Sequence, residues 1–219
     1  MDYQNTLTYL YNSVPMFQQV GGSAYKEGLE NTRILDEHFG HPHRSFRTIH
    51  VAGTNGKGSV IAYLYTTLSD AGYRVGRYIS PSVYSYREKM EVAGSAVSRE
   101  QFAGYVTRVA AAIKEMTTEG LAHPTPFEIE TAVAFLFFAE EKCDLVILEV
   151  GMGGNLDATN IIRNTVLAVL VPISMDHQAF LGNTLSEIAE KHNTTVSKLK
   201  KLNGINGSSI RAGKKIKVK

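Results

Sequence analysis

Phe46-Arg47-Thr48-Ile49-His50-Val51-Ala52-Gly53-Thr54-Asn55-Gly56-Lys57-Gly58-Ser59 is the stretch that decides the fold. Its first seven residues form a short apolar run with β-branched members, the pattern of a strand. After the glycine-rich turn, Lys57–Ala71 sets Val60, Ile61, Leu64 and Leu68 at helical spacing, and Gly72 follows as a stop. A turn between a strand and a helix gathers backbone N–H groups and a helix N-terminus around one point, which favours the oxygens of an anionic phosphate. Glycines allow the backbone to come close, Lys57 brings a positive charge, and the Ser59 hydroxyl suits phosphate or a metal-bound water. Gly53, Thr54, Asn55, Gly56, Lys57, Gly58 and Ser59 are therefore the expected phosphate-binding loop. The spacing departs from Gly-x-x-x-x-Gly-Lys-[Ser/Thr], because Val51 stands at the first glycine and Gly58 precedes Ser59. A glycine-rich turn with an incidental lysine is the competing local reading.

Further elements alternate outward from this loop. Tyr73–Ile79 reads as a second strand. Ser98 and Gln101 match a capping box for a helix to about Thr117, and Pro126 stands where another helix begins, continuing through Glu128–Lys142. Asp144–Val150 and Val166–Val171 are near-continuous apolar runs, the pattern of strands covered on both faces. The expected fold is α/β, a parallel sheet with flanking helices and right-handed crossovers.

Composition sets the class. The chain has 219 residues, 43% hydrophobic and 20% charged, which excludes disordered and fibrous proteins. The start at Met1-Asp2-Tyr3 lacks a basic segment and an apolar run, the run Ala132–Ala139 is too short for a bilayer, and Cys143 is the one cysteine. These features predict a cytoplasmic protein without a membrane partner. The net charge of +2 is uneven: residues 183–219 hold nine basic and two acidic residues, a net of +7, which leaves −5 for residues 1–182. Such asymmetry suggests a module boundary.

The string His50–Ser59 resembles the nucleotide loop of the Mur ligase superfamily. Ser80-Pro81 with Arg87-Glu88, the segment Leu148–Asn160 and Ser174-Met175-Asp176-His177…Leu181-Gly182 are similar to its folate branch, folylpolyglutamate synthase and dihydrofolate synthase. The resemblance covers about residues 1–190 and implies a Mur-ligase central-domain fold that uses ATP and Mg2+. Read locally, Glu149 is either a metal-holding strand-end acid or a carboxylate paired with a lysine. The resemblance selects Ser80, Glu149 and His177 as the metal set and Lys57, Glu149 and His177 as catalytic. Arg87, Gly153, Gly154 and Asp157 would belong to the substrate loop. The implied reaction phosphorylates a carboxylate of folate or dihydropteroate, and the amine of L-glutamate then attacks the acyl phosphate. Two positions depart from the family: Ser82 stands where histidine is usual and Asn155 where arginine is usual.

Near Leu185 the resemblance changes. The family lysine that becomes carbamoylated is matched in register by His192, with Lys191 one position early. Measured against that family, the rest of the central sheet and the whole C-terminal glutamate-binding domain are expected to be absent. Gly182–Val196, Leu199…Gly204 and Ile210…Val218 instead resemble a lysin-motif (LysM) module, a small α+β fold that binds N-acetylglucosamine-containing glycans. Thr184 and Glu187 form a capping box, Gly204 ends a second short helix, and Ile216 and Val218 alternate with lysines like an edge strand. The expected domains are thus 1–182, ATP-binding, and 183–219, LysM-like without a clear first strand. The alternative is a glycan-binding protein with an inactive nucleotide-binding domain. A nucleic-acid patch is less economical, because no aromatic platform accompanies the lysines. A monomer is expected.

Overall fold

In the computed structural model, residues 1–12, 28–173 and 195–204 are described. They divide into two compact units. The first comprises Met1–Ala52 with Lys57–Val169; the described part of the second is 53–56, 170–173 and 195–204.

A six-stranded sheet organises the first unit. Its strands are β1 (Arg47–Ala52), β2 (Val75–Tyr78), β3 (Met90–Val92), β4 (Ser95–Ala96), β5 (Leu145–Glu149) and β6 (Thr165–Leu170), in the order β4-β3-β2-β5-β1-β6. The strand β5 runs parallel to both β1 and β2, with Val51 opposite Glu149 and Tyr78 opposite Leu148. All five residues of β5 are buried, as its unbroken apolar run predicts.

Two expectations change here. The sheet is mixed, because β3 pairs antiparallel with β2 and β4 antiparallel with β3. The β3–β4 turn is Ala93-Gly94, at φ 48° and 80°, the paired left-handed conformation that suits a tight hairpin. The second concerns β6, whose apolar run implies cover on both faces. Val166, Leu167 and Leu170 are instead 54%, 45% and 66% exposed. The run lies in the strand that ends the order, so an unbroken apolar run alone does not mark a strand covered on both faces.

The helices are α1 (Tyr3–Asn12), α2 (Glu30–His38), α3 (Lys57–Asp70), α4 (Arg99–Thr118), α5 (Pro126–Glu140) and α6 (Val196–Asn203). The capping box at Ser98 and Gln101 starts α4 as predicted. A second box, Thr125 with Glu128, starts α5 just before Pro126. Buried α4 residues Phe102, Val106, Val109 and Ile113 recur at helical spacing and face the core. The segment Ile129–Phe138 of α5 is buried throughout, so this helix is the centre of the core rather than a surface element. It lies close to the sheet because Gly76 of β2 has no side chain: a Cβ there would lie 2.7 Å from the Phe138 ring. The helix α3 buries Ile61 and Tyr65 most deeply, with Leu64 and Leu68 half-buried. In the second unit, Thr195 caps α6 and Gly204, at φ 60°, ends it as expected. The Thr184–Glu187 box and the Ile216–Val218 strand lie outside the described residues.

Candidate active site

Parallel strands deliver their C-terminal ends to one edge of the sheet, the usual place for a ligand in such folds. Here that edge carries Glu149, the last residue of β5, and Lys57, the first residue of α3. Lys57 Nζ lies 3.6 Å from Glu149 Oε1, with the side chains 17% and 8% exposed. The backbone N–H of Ser80, two residues beyond β2, donates to Glu149 Oε2 at 3.1 Å. Burial pushes the Glu149 carboxyl above its ordinary value, opposed by the Ser80 N–H and by Lys57. The result is a buried acid held at a strand end by one backbone donor and one cation.

This grouping can accept magnesium. A magnesium ion takes hard oxygen donors and is commonly held by one or two carboxylates with phosphate oxygens and water. Glu149 supplies one such carboxylate. Among the described residues there is no group of three or more His, Cys, Asp or Glu side chains that could hold a metal by themselves. A single carboxylate at the strand end suits an ion shared with phosphate oxygens. Ser80 meets Glu149 through its backbone, and His177 lies outside the described residues.

The glycine-rich turn has its own local logic. Gly53 is at φ 136°, and a Cβ there would lie 2.4 Å from Val171 Cγ2 and 2.6 Å from its carbonyl oxygen. Glycine is thus required twice at this position, by dihedral and by space. The Thr54 N–H donates to the Pro172 carbonyl at 3.0 Å. Asn55 and Gly56 are exposed, as are Gly58 and Ser59 in the first turn of α3.

The second glycine-rich loop is organised by Asp157. Its carboxylate accepts the Met152 N–H at 2.8 Å, the Thr159 N–H at 3.0 Å and the Thr159 hydroxyl, and also takes the Gly151 N–H. Gly153 and Gly154, at φ 72° and 89°, make the turn between them. Asp157 is only 5% exposed. Its role in the structure is to fold the loop. Asn155 contributes its carbonyl to the Asn160 side chain. Arg87 donates to the Val97 carbonyl at 2.9 Å, so its observed partner is the strand β4 end of the sheet.

A buried network supports the segment between β2 and β3, and nothing in the sequence pattern pointed to it. Glu130 of α5 accepts from Lys89 Nζ at 2.8 Å and from the Tyr86 hydroxyl, while Lys89 Nζ stands 4.1 Å from the Tyr86 ring centre. His50 is likewise a structural surprise: its Nε2 lies 2.8 Å from Thr159 Oγ1. An Asp-x-Thr spacing is the local signal that could have suggested the Asp157–Thr159 contact. An open cleft of about 450 Å³ lined by Arg44, Arg47, Lys142 and Asp144 occurs at the opposite ends of β1 and β5, away from Lys57 and Glu149.

The fold and this strand-end pair define a P-loop-type α/β protein. Comparison with known proteins narrows the class. The dihydrofolate synthase/folylpolyglutamate synthase of Bacillus subtilis (strain 168) is 42% identical over 165 residues, 75% of this chain and 38% of that protein. The crystal structure of folylpolyglutamate synthase from Thermotoga maritima matches with a TM-score of 0.71 at 34% identity, covering 87% of this chain and 41% of that one. An Escherichia coli enzyme of this type, solved in complex with ADP, gives a TM-score of 0.71 at 33% identity, covering 87% and 42%. A LysM domain model matches residues 181–219. Over its first three-quarters the chain belongs to the folylpolyglutamate synthase and dihydrofolate synthase family, and it spans about two-fifths of the length of these relatives. Among the described residues, no helix is long and apolar enough to cross a membrane.

Proposed function

We propose that residues 1–182 are the nucleotide-binding part of an ATP-dependent ligase that joins L-glutamate to the carboxylate of a folate or of dihydropteroate. The observation that carries this reading is the Lys57–Glu149 pair at the C-terminal edge of the parallel strands, 3.6 Å apart, with the Ser80 N–H donating to Glu149. Gly53–Ser59 would receive the phosphates, with Lys57 against the β- and γ-phosphate charge. Glu149, with Ser80 and His177, would hold magnesium, which when bound supplies neutralising charge to the transferred phosphoryl group.

The reaction proceeds in two displacements. A carboxylate oxygen of the folate forms a bond to the γ-phosphorus of ATP as the bond to ADP breaks. The glutamate amine then forms the amide C–N bond, the C–O bond to phosphate breaks, and the amine proton leaves to water or a base. The chain contributes positioning and charge, the two largest sources of catalysis in such transfers. The Gly151–Gly154 loop, with Asp157 and Arg87, would border the acceptor. The names of the relatives and the ADP complex support the assignment. Residues 183–219 would form the LysM-like module, in line with the LysM model matched at 181–219, and N-acetylglucosamine polymers would be its ligand. The protein would act as a cytoplasmic monomer.

The test is MgATP-dependent transfer of labelled L-glutamate onto tetrahydrofolate and dihydropteroate. Product that disappears in Lys57→Ala supports the assignment. A well-folded chain that gives no product restricts the function to nucleotide binding and directs attention to glycan binding by the tail.

A further inference from the structure

His50 and Thr159 are 109 residues apart in sequence and touch through one hydrogen bond. Counting protons along that contact fixes its chemistry. Asp157 Oδ1 takes the Thr159 N–H and the Thr159 hydroxyl, while the Met152 N–H reaches Oδ2 and the Gly151 N–H also reaches the carboxylate. With four donors converging on it, the carboxylate is an acceptor only. The single hydroxyl hydrogen of Thr159 is therefore spent on Asp157. Its oxygen can only accept from His50, so His50 Nε2 must carry the hydrogen. Thr159 is fully buried and Asp157 nearly so, which leaves no room for water to replace a lost donor. Burial also depresses the His50 pKa to about 4, so the ring is neutral near pH 7 and its one N–H is committed to this bond.

We propose that His50 and Thr159 are positioning residues for the Gly151–Gly154 loop, His50 serving as the Nε2–H donor that fixes the Thr159 hydroxyl on Asp157. The relay ties β1 to the turn that follows β5. A Cβ at Gly151 would meet Asp157 Oδ2 at 3.1 Å and the Phe127 ring at 2.6 Å, so the loop has little freedom to find another seat. The consequence for catalysis rests on the ligase reading above: a loop that loses its Asp157 clasp presents the acceptor poorly, while phosphate binding is untouched.

The experiment uses the full 219-residue chain and begins without a variant. Nitrogen-15 spectra of the imidazoles near pH 7 report which ring nitrogen of His50 is protonated; Nε2–H is expected, and an Nδ1–H or doubly protonated ring overturns the proposal. Amide exchange at Gly151 and Met152 is then compared in Thr159→Val, which keeps the shape but loses the hydroxyl, and Thr159→Ser, which keeps it. Exchange about fivefold faster in Thr159→Val and near wild type in Thr159→Ser is expected, the loss of one modest hydrogen bond. Unchanged exchange in Thr159→Val overturns the relay. Where the wild type ligates glutamate, Thr159→Val raises KM for the acceptor acid with KM for MgATP unchanged, and His50→Gln, which retains an N–H donor, is milder than His50→Leu. An unaltered acceptor KM would remove the positioning role. Absence of ligation by the wild type counts against the ligase reading alone, because the spectra and the exchange rates still decide the relay.

Discussion

Lys57 Nζ stands 3.6 Å from Glu149 Oε1, so the half-buried first residue of α3 and the buried last residue of β5 meet as an ion pair at the strand ends. The contact with Lys57 favours the ionised acid without fully offsetting the cost of burying it. Burial raises the Glu149 carboxyl above its ordinary 4.5, and the Ser80 N–H and Lys57 only partly offset it. An acid whose folded pKa is raised binds its proton more tightly in the folded state. Its ionisation therefore costs nothing below about pH 4.5 and works against folding as pH rises through the folded pKa. Such a cost is expected where a group is kept for its chemistry.

Glu149→Gln separates these effects. The amide still accepts the Ser80 N–H and no longer carries the buried charge. The expected outcome is a Tm at pH 7.5 equal to or above wild type, together with loss of MgATP-dependent activity. Calorimetry checks the first part and a glutamate-transfer assay the second. A fall of more than about 5 °C, about 1–2.5 kcal/mol for a chain of this size, would contradict the account of this pair.

Asp36 supplies the opposite sign. It is 8% exposed and lies 2.7 Å from His43 Nδ1 and 2.6 Å from His41 Nδ1. Burial works to raise its pKa, but the hydrogen bonds and charges of His43 and His41 together outweigh it, and the net shift is below the ordinary 3.8. A depressed acid contributes stability that is fully present above its unfolded value and lost as pH falls through the folded one. In acid titrations monitored by circular dichroism, Asp36→Asn should therefore be less stable than wild type above pH 4, with the difference narrowing below it. A difference that stays constant down to pH 2 would show that the contact does not depend on charge.

The Glu130 network should be the costliest polar contact to break. Lys89 and Glu130 are 12% and 7% exposed, and truncating one partner leaves a buried charge. Glu130→Ala is expected to lose about 3–5 kcal/mol in urea unfolding, and adding Lys89→Met should recover a substantial part. A loss below about 1 kcal/mol would mean that water reaches Lys89 freely.

The sequence announced those features that depend on near neighbours. Ser98 and Gln101 specify their helix start within four residues, and Gly53–Ser59 is recognisable because strand, turn and helix adjoin in the chain. The buried β5 was legible from its unbroken apolar run. The run at Val166–Leu170 looked the same and proved exposed, since composition does not say whether a strand is central or last in order. The short hairpin β3–β4 escaped because three- and two-residue strands carry too little alternation to read. At the candidate site, Lys57 and Glu149 were visible by motif and position, and the contact of Glu149 with the Ser80 backbone was not. The His50–Thr159 and Lys89–Glu130 contacts join residues 109 and 41 positions apart, which no local pattern encodes.

The most direct test of the central claim is titration of MgADP into the full chain by calorimetry, compared with Lys57→Ala. Lysine contacts to phosphate are charge-assisted and contribute about 1.5–3 kcal/mol, so the variant should bind roughly 10- to 100-fold more weakly while keeping its Tm within a few degrees. Saturable binding by the wild type with that loss is the predicted result. Absence of binding by the wild type, or equal affinity in Lys57→Ala, would contradict the assignment of Lys57 and Glu149 as the nucleotide site.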